Sequence, residues 1–225
     1  LPGYTPDQRR AIFDAKLTTF AHLHNVDWKA AGLEGFGKEG DYIARQIHRW
    51  TKQYQASETA RIPEMNKLIE WLPKNVPPGE RTSIVHGDYR IDNMIWASDR
   101  PQVRAVLDWE LSTLGDPLAD FTYVAMAWVT ENGGRSGVAD LDRKALGIPE
   151  LEEVVERYCA ATGRDSVPDM NWYFAYNFFR LAGIIQGIKK RVIEGTASSQ
   201  HAKDMSERVR PLAERAWDFA RKAGA

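Results

Sequence analysis

The sequence predicts an α+β fold that is mostly α, with one small β-hairpin element near the middle of the chain. Apolar residues recur at helical spacing on both sides of that element. After Pro77-Pro78-Gly79 the spacing changes, and short apolar runs take its place. Two of these runs flank the turn-forming segment Ser98-Asp99-Arg100-Pro101, which is the pattern of a β-hairpin.

The first part of the chain, 1–78, is predicted to be helical. Thr5-Pro6-Asp7 combines a capping hydroxyl, a proline suited to the first helical position and an acid in the first turn. The helix that begins there should continue for about five turns. A glycine-rich loop over 32–40 follows, and two further helices are predicted over Tyr42–Tyr54 and Pro63–Trp71.

The second part, 79–112, is predicted to hold the catalytic loop and a metal-site hairpin. Ser83–Val85 is expected to form a strand that leads into a polar loop. The runs Asn93–Trp96 and Val103–Leu107 are expected to pair as the hairpin. Asn93 and Asp108 should then lie together at its open end.

The third part, 113–225, returns to helical spacing. Helices are predicted to begin at Asp116-Pro117, Pro149, Asp169 and Ser199, and the last should end near Lys222. We expect residues 1–225 to form one catalytic lobe, with the helices after residue 113 on the substrate side.

The amino-acid composition of the chain argues against several classes of protein. The chain has 30 Lys+Arg against 31 Asp+Glu and a formal net charge of −1, without the basic footprint of a nucleic-acid-binding protein. No apolar run approaches the roughly 18 residues that suggest a membrane span, and no signal peptide is visible. The single cysteine, Cys159, cannot form an internal disulfide, which favours a reducing, cytoplasmic location.

The most informative segment runs from His86-Gly87-Asp88 to Asn93 and is followed by Asp108 at the end of an apolar run. An Asp, an Asn five residues later and a second Asp after a strand have the spacing of a kinase-type phosphoryl-transfer site. Asp88 is the candidate catalytic base, because a hydroxyl becomes a good nucleophile when a carboxylate accepts its proton. Asn93 and Asp108 are the candidate Mg²⁺ and nucleotide ligands, since hard oxygen donors suit this ion. The alternative is that Asp88 and Asn93 only stabilise turns and that Asp108 only caps a strand.

Four neighbouring residues have candidate supporting roles. Arg90 could face the transferred phosphate and help to bind the nucleotide, or form a surface ion pair. His86 is predicted to pack beneath the loop. Asp120 could accept N–H bonds from the catalytic loop and hold it rigid, or could be an ordinary acid in the first turn of a helix. Glu110, two residues after Asp108, could assist the metal or a substrate group.

The segment Gly35-Phe36-Gly37-Lys38-Glu39-Gly40 matches the pattern G-x-G-x-x-G. We reject it as a phosphate-binding loop, because that motif requires a preceding strand, whereas predicted helices lie on both sides here.

At these residues the chain resembles the C-terminal lobe of the aminoglycoside/choline phosphotransferase family, which has a protein-kinase-like fold. The segments 86–93, 107–115 and 116–120 are similar to the branch related to the phosphotransferase domain fused to some acyl-CoA dehydrogenases. The resemblance implies Asp88 as the catalytic Asp and Asn93 and Asp108 as Mg²⁺ ligands. It also implies ATP, or GTP, as the donor and a small-molecule hydroxyl as the acceptor. The family's N-terminal lobe is not found before Thr5, and we expect the protein to have its own.

The sequence therefore predicts Mg²⁺-dependent transfer of the γ-phosphoryl group of ATP to a hydroxyl of a small molecule. Two alternatives stay open. One is a non-catalytic, kinase-like binding module that lacks the N-terminal lobe. The other is a metal-dependent phosphohydrolase that uses His86, Asp88 and Asp108, although such a site would need more His or Asp ligands than the spacing offers.

Overall fold

The computed structural model describes residues 3–78, 81–133, 137–197 and 201–225. Within these ranges the helices are α1 Pro6–His24, α2 Tyr42–Ser57, α3 Pro63–Trp71, α4 Pro117–Ala125, α5 Arg143–Leu146, α6 Leu151–Thr162, α7 Met170–Ile193, α8 Ala202–Ser206 and α9 Val209–Lys222. The strands are β1 Ser83–Val85, β2 Met94–Trp96, β3 Val103–Val106 and β4 Thr113–Gly115. The predicted α+β, mostly α fold is confirmed. No helix in these ranges is long and apolar enough to cross a bilayer.

The start of α1 follows from its first residues. The Gln8 N–H donates to Thr5 Oγ1, and the Gln8 side chain in return accepts from the Thr5 N–H, which forms a capping box. Pro6 occupies the first helical position, where its missing N–H costs nothing. The helix then runs for 19 residues, which confirms the prediction of about five turns.

The chain divides into two compact units, one made of 1–40 and 81–168 and the other of 41–80 and 169–225. The first unit contains α1, all four strands and α4 to α6. Its core is aromatic: Phe20 stacks on Tyr89 with ring centroids 4.2 Å apart, and Phe121 stacks on Tyr158 at 4.0 Å. These pairs fix α1 and α6 against the segments on either side of the hairpin.

Two antiparallel strand pairs position the site. In the first, β1 pairs with β4, with Ser83 opposite Gly115 and Val85 opposite Thr113. In the second, β2 and β3 form the predicted hairpin, with a register irregularity near Ile95 and Trp96. The residues between β1 and β2 form the loop that contains Asp88, and those between β3 and β4 contain Asp108.

The second unit is helical and is built around α7. Phe178 stacks on Phe219 of α9 with ring centroids 5.6 Å apart. Gln186 of α7 donates to the Ser57 carbonyl at the end of α2 (2.6 Å). At Gly183 an added Cβ would be 3.7 Å from the Trp50 carbonyl oxygen, which is ordinary van der Waals contact, so the packing of α7 on α2 does not require a glycine there.

Three elements differ from the sequence prediction. Strand β4 and the one-turn helix α5 were not predicted, because three or four residues carry no measurable period. The last predicted helix is divided into α8 and α9 by a turn at Glu207 and Arg208. Its predicted start, Ser199, and the predicted break at Gly79 lie outside the described residues.

Candidate active site

The open end of the β2–β3 hairpin brings Asn93 and Asp108 to neighbouring positions. Met94 pairs with Val106, and beyond this pair the Leu107 N–H donates to the Asn93 carbonyl (2.8 Å). Asp108 is the next residue in the chain, so its backbone lies beside Asn93. The hairpin register thus gives the juxtaposition that the sequence predicted.

Asp108 has an unusual backbone conformation. Its φ of 66° and ψ of 57° lie in the left-handed region, which costs a non-glycine residue roughly 1–2 kcal/mol. Its side chain is exposed and makes no hydrogen bond or ion pair within the described ranges. A strained backbone that presents a carboxylate without a protein partner is typical of a functional position.

Asp88 is held by donors on both of its carboxylate oxygens. The Asn93 amide nitrogen donates to Asp88 Oδ2 (3.1 Å) and to the Asp88 backbone carbonyl (2.9 Å). The Tyr123 hydroxyl of α4 approaches Oδ1 (3.4 Å). Because its side chain is still 23 % exposed, Asp88 is oriented but remains accessible to an incoming hydroxyl.

His86 lies beneath the loop and is completely buried. Its Nδ1 accepts from the Asp88 N–H (3.2 Å), and its Nε2 lies 2.9 Å from the Leu107 carbonyl. Since a carbonyl can only accept, Nε2 carries the proton, and neither ring nitrogen has a lone pair left for a metal. The ring therefore links the loop of Asp88 to the segment that leads into Asp108.

Asp120 supports the loop from α4. Its Oδ2 accepts from the His86 N–H (2.6 Å) and its Oδ1 from the Gly87 N–H (3.0 Å). Burial by itself raises the pKa of this carboxyl, but the hydrogen bond and charge of His24 and the two backbone donors outweigh it and lower the pKa below its usual value. The ionised form is thus the one that the site stabilises. Asp120 thus accepts N–H bonds from the loop of Asp88, and its role in holding that loop rigid stays a prediction.

Gly87 permits the sharp turn between β1 and Asp88. Its φ of 83° favours glycine, and an added Cβ would lie 3.0 Å from both Cβ and the carbonyl oxygen of Leu111. We expect Gly87→Ala to lower the free energy of unfolding by roughly 2–3 kcal/mol in urea denaturation. Gly32→Ala is the matched control, because Gly32 also has a positive φ (72°) but nothing within 4 Å of its added Cβ. Equal losses in the two variants would show that Leu111 does not restrict this turn.

Arg90 and Glu110 lie at the edge of the site. The Arg90 Nη2 donates to Asp92 Oδ2 (3.0 Å), and its Nε is 4.0 Å from Asp88 Oδ2. Arg90 thus forms a surface ion pair with Asp92, and its role toward the transferred phosphate stays a prediction. Glu110 is exposed on the turn Trp109–Leu111 and makes no hydrogen bond or ion pair within the described ranges.

The sequence prediction missed two residues of the site, Tyr123 and His24. Tyr123 follows Asp120 by three positions, so the two side chains lie on one face of α4. This spacing could have predicted that Tyr123 also faces the loop of Asp88. His24 continues the buried face of α1 through Leu17 and Phe20 at spacings of three and four residues. That periodicity predicts a buried histidine, although its partner on α4 cannot be recognised from spacing.

The donor set suits a hard divalent cation. The side-chain nitrogen of Asn93 is engaged by Asp88, and the side-chain oxygen Oδ1, like the Asp108 carboxylate, has no donor among the described residues. Mg²⁺ is usually held by one or two protein oxygen ligands together with phosphates and water. No group of three or more His, Cys, Asp or Glu side chains in the described part of the chain forms a metal cluster. An all-protein metal cage is thus not seen there, while a pair of ligands that shares a nucleotide-bound Mg²⁺ fits.

The fold and this loop define a class of protein. Residues 2–170 match the model of the "Phosphotransferase enzyme family", so the chain belongs to that family. It is 46% identical over 226 residues to acyl-CoA dehydrogenase family member 10 of Mus musculus, covering 100% of this chain but 21% of the mouse protein. The resemblance to the branch fused to acyl-CoA dehydrogenases is therefore confirmed.

Solved structures agree with this assignment. A Ralstonia eutropha protein, provisionally described as an aminoglycoside phosphotransferase, superposes with a TM-score of 0.95 at 50% identity. The match covers 99% of this chain and 68% of that one. The macrolide 2′-phosphotransferase of Brachybacterium faecium superposes with a TM-score of 0.55 at 17% identity, over 93% of this chain and 62% of that one, and supports the fold alone. The chain thus spans about a fifth of its mouse relative and about two thirds of the Ralstonia structure.

Proposed function

We propose that the chain is the catalytic lobe of a small-molecule kinase that transfers the γ-phosphoryl group of ATP, or of GTP, to a hydroxyl group. Asp88 accepts the hydroxyl proton as the new O–P bond forms and the bond between the γ-phosphorus and the bridging oxygen of the nucleotide breaks. The nucleoside diphosphate leaves, and the acceptor becomes a phosphomonoester.

This proposal rests mainly on the two polar atoms of the Asn93 side chain, which are suited to different roles. Its side-chain nitrogen fixes Asp88 (3.1 Å to Oδ2), while its side-chain oxygen Oδ1 has no donor among the described residues and its backbone lies beside the segment that leads into Asp108. One side chain thus connects the proposed base to the proposed metal ligands. A turn-stabilising or strand-capping role would not require Asp108 to keep a strained backbone and a free carboxylate.

Asn93 and Asp108 are the residues that would hold Mg²⁺. When bound, Mg²⁺ neutralises phosphate charge, which is a large part of catalysis in this class. Asn93 and Asp108 contribute oxygen donors at the hairpin end, and the Asp88 carboxylate remains oriented by Asn93 and Tyr123.

The remainder of the nucleotide site is proposed to come from an N-terminal lobe of the same protein. Family membership and the longer relatives support this.

The geometry argues against the phosphohydrolase alternative. That reaction would use His86 as a metal ligand, but both ring nitrogens of His86 are already engaged by Asp88 and Leu107. Releasing either would break a hydrogen bond to a partly buried backbone group, which contributes about 0.5–1.5 kcal/mol.

We test the metal-ligand assignment with Asp108→Gly. Glycine adopts the left-handed conformation without strain, so the free energy of unfolding should be unchanged or higher by up to about 1 kcal/mol. Mg·ATP affinity, measured by calorimetry on the longest native polypeptide that contains this chain, should fall by about 100-fold because a direct ligand is lost.

Asp169→Gly serves as the matched control for Asp108→Gly. Asp169 has a similar left-handed backbone, with φ of 52°, but lies in the other compact unit. It should show the same change in stability with unaltered nucleotide affinity. An Asp108→Gly variant that binds Mg·ATP like the wild type would refute the assignment.

A further inference from the structure

We propose that His24 is a positioning residue for the catalytic loop. It holds the Asp120 carboxylate in the orientation that fixes the His86 and Gly87 amides and, through them, Asp88. The catalytic part of this inference rests on the proposed role of Asp88, whereas the positioning part can be tested without activity.

His24 meets Asp120 in the buried core of the first unit. The residue is 2 % exposed at the end of α1, and its Nε2 lies 3.4 Å from Asp120 Oδ2. Because a carboxylate can only accept, the proton of this contact is on Nε2. Among the described residues, His24 is the one side chain that hydrogen-bonds the Asp120 carboxylate.

The orientation of Asp120 matters because both of its oxygens are used by the loop backbone. The His86 N–H is 2.6 Å from Oδ2 and the Gly87 N–H is 3.0 Å from Oδ1. Rotation of the carboxylate would break at least one of these bonds and leave a buried N–H without a partner. The second hydrogen bond on Oδ2, from His24, holds the carboxylate in one rotation. In that rotation the His86 and Gly87 N–H groups both keep their acceptors.

The His24 ring is itself fixed by two aromatic side chains, one on α6 and one on its own helix. Its Nδ1 lies 2.7 Å from the Tyr158 hydroxyl of α6, and its ring packs on Phe20 with centroids 4.3 Å apart. Ser83 of β1 donates to the His24 carbonyl (2.9 Å). The Ser83 bond is to the backbone, whereas the ring itself is held by Tyr158 and Phe20 and so provides a rigid reference for Asp120.

His86 links the Asp120 carboxylate to Asp88, the proposed base. The Asp88 N–H donates to His86 Nδ1 (3.2 Å), so a shift of the His86 backbone moves the proposed base. Small displacements are costly for catalysis, since misplacement by about 1 Å can reduce turnover by roughly 100-fold.

The experiment compares three variants. His24→Met removes the donor, His24→Gln restores an N–H at similar reach, and Ser83→Ala removes a buried hydrogen bond to the His24 backbone while leaving the Asp120 contact intact. We expect His24→Met to lower kcat about tenfold or more, with KM for ATP within about threefold. His24→Gln should recover most of the loss, and Ser83→Ala should retain the wild-type kcat.

Amide hydrogen exchange of residues 86–88 provides a readout that does not depend on activity. His24→Met should accelerate this exchange about tenfold relative to Ser83→Ala, compared at equal global stability. Equal exchange and equal kcat in the two variants would overturn the proposal. If the wild type transfers no phosphate, the proposed function fails, and the exchange comparison still decides whether His24 positions the loop.

Discussion

Asp88→Asn is expected to lower turnover by about 1,000-fold while Mg·ATP affinity stays within about threefold. The amide has nearly the same volume but cannot accept the proton of the attacking hydroxyl. The ligands assigned to the metal, Asn93 and Asp108, remain in place. Steady-state kinetics with a competent acceptor and calorimetric titration with Mg·ATP measure the two effects separately.

Asp92→Asn is a matched control for Asp88→Asn. It makes the same chemical change four residues along the chain, on a side chain that is 69 % exposed and pairs with Arg90. Exposed ion pairs contribute little, so turnover should change by less than about twofold. Near-wild-type turnover in Asp88→Asn would show that Asp88 is not the base.

Asp120→Asn is expected to have the largest effect on stability. The carboxylate accepts from two backbone amides and faces His24 in a buried site. The asparagine side chain would place its own N–H against one of these donors. That buried donor would then have no acceptor. The free energy of unfolding at pH 7 should fall by about 3–5 kcal/mol in urea denaturation.

The difference between wild type and Asp120→Asn should depend on pH. A carboxyl whose pKa is lowered in the folded state adds stability above its unfolded pKa of about 4, and this stability is lost as pH falls through the folded value. The difference should therefore be constant near neutral pH and shrink below about pH 4.

Asp142→Asn controls for the Asp120 substitution. Asp142 caps α5 by accepting from the Ala145 N–H, and asparagine caps a helix equally well. This variant should lose less than about 0.5 kcal/mol. A comparably small loss in Asp120→Asn would mean that the loop does not depend on the carboxylate.

The sequence was sufficient to predict the elements that depend on residues close together in the chain. The capping residue Thr5 and the proline after it defined the start of α1, and the turn at 98–101 defined the hairpin. That hairpin in turn placed Asn93 beside Asp108, because antiparallel pairing joins residues at its open end.

The sequence was insufficient where partners are distant in the chain. His24 and Asp120 are 96 positions apart, and Tyr123 and Asp88 are 35 apart. Their contacts depend on how α1, α4 and the strands pack, which no local spacing encodes. Strand β4 was missed for the same reason, since it exists only through its pairing with β1.

Phosphoryl transfer to a hydroxyl group can be measured by ³¹P NMR of ATP incubated with the native polypeptide that contains this chain and a library of small-molecule hydroxyl compounds. We expect ADP together with a new phosphomonoester, formed only with Mg²⁺ and absent with Asp88→Asn. ATP that stays intact with every acceptor, or ADP and inorganic phosphate formed equally by Asp88→Asn, would contradict it.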